Sequence, residues 1–334
     1  MVFNTASADN EGKEKSSDAP SLSEYGAEVV LKNGKPFRVN LIKRFDPAGL
    51  RLLDGSTTIE ELHAVYCCEL SDADLVHFSE IVNLKKLYLP PKVGDEGLQY
   101  VQGLTKLEVL HLNDGLFTSG GMGHLKRLTN LTDLSLWRCT SITDDGFEHL
   151  HEMKRLKRLD LRRCIQITDR ALEHIKDLTE IESLDFSVVP GITNDGLRNI
   201  QNLKELRNLG TTRTGITDLL PLRELSKLES LNVPASIDDA QIAHLENLKQ
   251  LKRLSLECCQ ITDDAIAHLR NMGDLEWLDI HKTRITDSCL LHLRGLKKLR
   301  YLQLQATKIS EHGVRQTQTS LPKCEIIPPN HTAG

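Results

Sequence analysis

The sequence predicts an α/β solenoid: a right-handed horseshoe with a parallel β-sheet on its concave side and short helices on its convex side. Two observations carry this. The frame L-x-x-L-x-L recurs, as in Leu131-Thr-Asp-Leu134-Ser-Leu136, Leu156-Lys-Arg-Leu159-Asp-Leu161 and Leu251-Lys-Arg-Leu254-Ser-Leu256. An I-T-D triplet follows each frame: Ile142-Thr143-Asp144, Ile167-Thr168-Asp169 and Ile261-Thr262-Asp263. A fixed period of this kind signals stacked repeats. Stacked repeats present long concave surfaces, which moves the question from catalysis to binding.

Taken in order, residues 1–22 are polar and poor in hydrophobics, so a disordered tail is expected there. Residues 23–58 are expected to form an N-terminal cap over the open end of the core. In it, Val29-Val30-Leu31 and Phe37-Arg-Val39 flank Asn33-Gly34, a pair suited to a type I′ hairpin turn. Residues 59–320 hold about eleven units. Frames start at Leu84, Leu107, Leu131, Leu156, Ile181, Leu206, Leu228, Leu251, Leu275 and Leu299, with a degenerate one at Glu60 that puts Val65 and Cys68 in the expected places. From residue 60 to residue 299, ten steps cover 239 residues, about 24 residues per unit.

Positions four and six of the frame alternate with polar residues, the period-two pattern of a strand with one buried face. After the triplet, apolar residues such as Leu172, Ile175 and Leu178 return at helical spacing. The Thr or Asp of the triplet suits a helix N-cap, because its oxygen can accept an orphan backbone N–H. Strands stack ~4.8 Å apart while packed helices need ~8–10 Å, and that mismatch bends the stack. The unit at Leu206 has 22 residues, and its triplet Ile216-Thr-Asp218 runs into Leu219-Leu220-Pro221. Proline breaks a helix interior, so a short turn is expected there. Residues 321–334 begin with Leu321-Pro-Lys-Cys324-Glu-Ile326, which repeats the frame once more as a capping strand before the tail.

These frames resemble the leucine-rich repeat family over residues about 60–327, and the unit length falls in that family's range of ~20–29 residues. Cysteine at position nine (Cys68, Cys139, Cys164, Cys259) and the I-T-D triplet resemble the cysteine-containing subclass. That subclass includes repeats of F-box proteins and of bacterial proteins, planctomycete ones among them. The resemblance implies a protein-binding scaffold. It also implies an alternative, the substrate-recognition subunit of a ubiquitin ligase. That role would need a helical adaptor-binding segment ahead of the repeats, and residues 1–58 show no run of amphipathic helices.

Other classes are disfavoured. No phosphate-binding glycine loop, nucleophile elbow or H-E-x-x-H motif occurs. Cys67-Cys68 and Cys258-Cys259 are vicinal pairs without the C-x-x-C spacing of a zinc site. Neither a metal nor a cofactor is expected. Six histidines, His124, His149, His174, His244, His268 and His292, share one outer-helix position, which reads as a copied solvent-edge site. Fewer than 60 residues precede the repeats, too few for most catalytic domains. His281 with Asp279 and Glu257 is the sole acid–base grouping on the concave side, and no enzyme is expected. The net charge of −5 argues against a nucleic-acid partner held by bulk charge. No apolar run approaches the ~18 residues of a membrane span, and the first residues hold no export signal. A cytoplasmic monomer with reduced thiols is expected.

Positions three, five, seven and eight should face solvent on the concave side, so specificity should be written there. Both tryptophans fall in this set, with Tyr66, Tyr88 and Tyr301. Exposed aromatics are enriched at binding hot spots. One expected patch centres on Trp137 with Arg138, Arg158, Arg162 and Arg163. The other centres on Arg253, Trp277, His281 and Tyr301, with Glu257 and Asp279 beside them. Neighbouring units align Arg253 with Trp277 and Tyr301, Glu257 with His281, Trp137 with Arg162, and Asp133 with Arg158. Asp160 and Asp185 align as like charges, a repulsion that a partner's cation could relieve. Lys86, Arg213 and Lys282 bring the basic residues on this face to eight. They stand against six acidic ones, Asp114, Asp133, Asp160, Asp185, Glu257 and Asp279, so the face is relatively basic. A protein or peptide ligand is the expected partner.

Overall fold

The computed structural model describes residues 21–329, so the polar tail expected at the start lies, up to residue 20, outside the described residues. Fourteen strands form one open sheet whose spatial order follows the sequence. The first two, Ala27–Lys32 and Lys35–Leu41, pair antiparallel and turn at Asn33 and Gly34, both with positive φ. The strand Glu61–His63 then adds parallel to Lys35–Leu41, and every later strand is parallel and three residues long. The described residues ahead of the first unit hold this hairpin and 3-10 helices at Leu22–Tyr25 and Pro47–Leu53, and no α-helix.

The three strand residues are positions three to five of the frame. Position four stacks as a leucine ladder, from Leu62 on Leu87 through Leu278 on Leu302, all buried. Each such side chain contributes about 1.5–3 kcal/mol by leaving water. Position eight was expected simply to point outward. It does so through a left-handed backbone at Asp114, Arg138, Arg163, Val188, Arg213, Cys258, Lys282 and Ala306. None of these is glycine, and the conformation costs about 1–2 kcal/mol per residue. The backbone ladder offsets that cost: Arg138 N–H donates to Arg162 O at 2.9 Å, and Cys258 N–H donates to His281 O at 3.0 Å.

The triplet does two separate jobs. Its threonine is the N-cap: the hydroxyls of Thr168, Thr193, Thr262 and Thr286 accept backbone N–H groups two residues on, at 3.2–3.5 Å. Its aspartate is not a cap for its own helix. Asp169 reaches the next unit, where its two oxygens accept the N–H and hydroxyl of Thr193 at 2.7 and 2.6 Å. Asp144 binds Thr168, Asp239 binds Thr262 and Asp263 binds Thr286 in the same way. The aspartates therefore staple unit to unit, with charge-assisted bonds that are stronger than neutral ones. The staple fails at Asp218, where Leu220–Leu222 with Pro221 is only a 3-10 turn. There the Leu219 N–H donates to Gln241 of the following unit instead.

Two frames expected from the sequence are displaced. Leu62 pairs with Leu87, so the first frame starts at Ile59, not Glu60. Cys67 then occupies position nine and is buried, while Cys68 is exposed. Tyr66 moves to position eight. At the other end Leu302 pairs with Ile326, so the last frame is shifted by two residues from the one read at Leu321. All eight cysteines are free. Cys139 and Cys164 do not bridge; their thiols donate to Leu112 O and Leu136 O at 3.1 and 3.0 Å. Burial pushes the Cys139 thiol up to about 12. No helix among the described residues is long and apolar enough to cross a membrane.

Candidate binding face

The exposed face of the sheet is not uniformly free. Position five is covered in several units: Ser135, Ser255 and Asp279 are each no more than 7 % exposed. Strands ~4.8 Å apart let the long side chains of neighbouring units close over short ones. Asp279 is therefore not an accessible contact residue. It holds His281 instead, accepting from its backbone N–H at 2.9 Å and lying 2.7 Å from Nδ1.

Around Trp137 the arginines are occupied by the chain's own carboxylates. Arg138 pairs with Asp114 at 2.9 Å, and Arg158 pairs with Asp133 at 2.8 Å. Arg162 donates to both oxygens of Asp160, at 3.0 and 2.7 Å. It also lies 3.9 Å from Asp185. The cation that relieves the Asp160–Asp185 repulsion is thus built in, and none from a partner is required. The cation over the Trp137 ring is Arg138, its chain neighbour, at 5.3 Å, rather than Arg162. Arg163 stands on the rim at position eight, exposed. The corrected first frame also adds Glu61 at position three, where Arg38 and Lys86 pair with it. The basic excess of this face is smaller than its sequence count.

The carboxylates here differ in environment. Burial raises the pKa of Asp133, but its bonds with His111 and Arg158 outweigh that and hold it below the ordinary value. Asp185 goes the other way: burial raises its carboxyl, and the Ser187 N–H donating at 2.8 Å does not compensate. Its side chain folds over Gly210, where an added Cβ would lie 2.3 Å from the carboxyl carbon and would displace the carboxylate.

In the later units Arg253, Trp277 and Tyr301 come together as aligned. The Arg253 guanidinium lies 4.6 Å from the Trp277 ring centroid. Trp277 and Tyr301 stack with centroids 5.7 Å apart and planes 3° from parallel. The Tyr301 hydroxyl donates to Gln303 at 2.6 Å, which fixes the far end of the row. Trp277 and Tyr301 remain partly exposed, and Arg253 is exposed. Alongside, His281 Nε2 lies 3.0 Å from Glu257. Cys258, half of a vicinal pair in the sequence, joins this group.

One row escaped the sequence reading. His63 stacks on Tyr88 at 4.2 Å, and Tyr88 meets His111 edge-on at 4.6 Å. The frame set at Glu60 placed His63 at position four, in the core. The correct frame puts it at position five, in line with Tyr88 and His111. Burial, followed by the nearby Arg38 charge, lowers the pKa of His63.

An open, sequentially ordered and mostly parallel sheet backed by short helices defines a repeat solenoid. The chain superimposes on an internalin of Listeria monocytogenes with a TM-score of 0.62 and 21% identity, over 86% of this chain and 89% of that one. It also matches a leucine-rich repeat protein of Leptospira interrogans with a TM-score of 0.52 and 16% identity, over 91% and 94%. The chain thus has the leucine-rich repeat fold. No protein-family model and no curated protein sequence matches it.

Proposed function

We propose that this protein is a non-enzymatic interaction scaffold that holds a protein or peptide against the exposed face of its sheet. The observation that carries this is the Arg253–Trp277–Tyr301 row. Tryptophan, tyrosine and arginine dominate binding hot spots. Here three units supply them as one stacked surface, fixed before any partner arrives. A prestacked row loses little side-chain freedom on binding, and such freedom costs about 0.5–1.5 kcal/mol per immobilised side chain. The solenoid supports the reading by spreading the face over many units, the geometry repeat proteins use for extended ligands. The Trp137 group is the second contact region, entered through the Trp137 ring and the rim residue Arg163. A monomer suffices, since the row is complete within one chain, and neither a membrane nor a nucleic acid is needed.

The test is quantitative affinity capture followed by mass spectrometry, comparing the wild type with Trp277→Ala and Trp137→Ala. At least one protein should be retained by the wild type and lost by Trp277→Ala. Equal recovery of every captured protein by all three chains would refute the assignment of the row.

A further inference from the structure

Three potential metal ligands of different chemistry converge beside the aromatic row. Glu257 and Cys258 occupy positions seven and eight of one unit, and His281 occupies position seven of the next. Their donor atoms, a carboxylate oxygen, Sγ and an imidazole nitrogen, all lie within 4.8 Å of one another. His281 Nε2 is 3.0 Å from Glu257 Oε1, and Cys258 Sγ is 3.8 Å from the same oxygen. Ligands around a tetrahedral zinc ion, with bonds of about 2.0–2.3 Å, sit roughly 3.3–3.8 Å apart. Two of the three separations already fall close to that range.

The supporting shell is present too. Asp279 lies 2.7 Å from His281 Nδ1 and is itself buried. A carboxylate on one ring nitrogen fixes the ring and leaves the other nitrogen to the metal. The backbone helps on the sulfur side. Cys258 is left-handed, with φ of 62°, and its N–H is tied to His281 O at 3.0 Å. That conformation turns Cys258 to the rim while Cys259 enters the core. The strand register thus sets the thiol and the imidazole side by side, although they are 23 residues apart in sequence.

We propose that Glu257, Cys258 and His281 bind one zinc-type divalent ion, with Asp279 orienting His281. The mixed oxygen, sulfur and nitrogen set suits zinc rather than calcium or magnesium, which favour oxygen alone. Binding takes the thiolate, so one proton leaves Cys258 as the ion enters. Glu257 is 48% exposed, so the fourth position opens to solvent on the same face as Trp277. A water or a donor atom from a bound partner completes the shell. The site does not depend on the scaffold reading, and its test needs no partner.

The experiment titrates the reduced, metal-stripped full chain with cobalt(II) under anaerobic conditions, then displaces the cobalt with zinc. One cobalt per chain should bind, with a thiolate-to-cobalt charge-transfer band and the strong visible bands of tetrahedral cobalt. Cys258→Ser should abolish the charge-transfer band. His281→Ala and Glu257→Gln should weaken zinc by at least about tenfold, and Asp279→Asn by about 10–100-fold. Cys68→Ser, which alters an exposed thiol elsewhere, should change nothing. A band that survives Cys258→Ser, or an affinity indifferent to His281→Ala, would overturn the proposal. So would a titration showing no stoichiometric site.

Discussion

The regions around Trp137 and Trp277 look alike in the sequence, each a tryptophan beside arginine, yet the fold treats them differently. Near Trp137 each of three arginines is taken up by an aspartate of its own or an adjacent unit. Near Trp277 the single arginine faces an aromatic ring, and the next unit extends that ring by stacking. The difference lies in what the neighbouring unit supplies. Arg158 has an aspartate beside it in register, and Arg253 has a tryptophan. A charge that its own sheet neutralises is a poor handle for a partner, whereas a stacked ring keeps a free face.

Binding should separate the two most strongly. Trp277→Ala should weaken a captured partner by about 2 kcal/mol, near 30-fold, as expected of a hot-spot residue. Trp137→Ala should cost less than about threefold by the same titration. The reverse ranking would mean that the self-paired patch is the principal contact.

Stability should rank them the other way. Arg162→Ala leaves Asp160 and Asp185 facing each other without their shared cation, and should lower unfolding stability by about 1 kcal/mol in urea titrations. The side chain is half exposed, so solvent screening keeps the figure modest. Arg253→Ala removes an exposed cation–π contact and should cost about 0.5 kcal/mol. Equal losses would show that the ion pairs near Trp137 are not what distinguishes it.

The smallest effects concern pH within the Trp137 patch. Asp133 has a depressed pKa, so its contribution is present above the ordinary carboxylate value near ~3.9 and is lost as pH falls through the folded value. Asp133→Asn should therefore destabilise at neutral pH, and the gap should close in acid. Asp185 has a raised pKa, so its charged form is a cost at neutral pH. Asp185→Asn keeps the oxygen that accepts Ser187 N–H and should raise the melting temperature by about 2 °C at pH 7. That gain should fade below the ordinary carboxylate range. Matching pH profiles for the two variants would remove the contrast between them.

How far the sequence could be read depended on the kind of error the pattern permits. A first frame starting at Glu60 is off by one residue, which puts His63 in the core instead of on the sheet face and hides its row with Tyr88 and His111. A one-residue slip exchanges the two faces of a strand. A last frame starting at Leu321 is off by two, and nothing changes face, because Cys324 and Ile326 have the same parity. The aspartate of the triplet was legible as a polar residue at a helix start. Its partner lies in the next unit and leaves no local trace, so Asp169 read as a cap while it is a staple on Thr193.

By itself the sequence determined the solenoid, its strand frame from Leu84 to Leu299 and the row Arg253–Trp277–Tyr301, because each follows from one repeated period and needs only that equal positions stack. The tertiary structure alone decided which face residues are free. Arg162 turns to Asp160, Asp279 sinks beneath His281, and Cys258 rises to meet His281 and Glu257. Those outcomes depend on rotamers, on burial by neighbours and on a left-handed backbone at position eight. Side chains from adjacent units compete for the same partners across ~4.8 Å, and a period cannot say which of them wins.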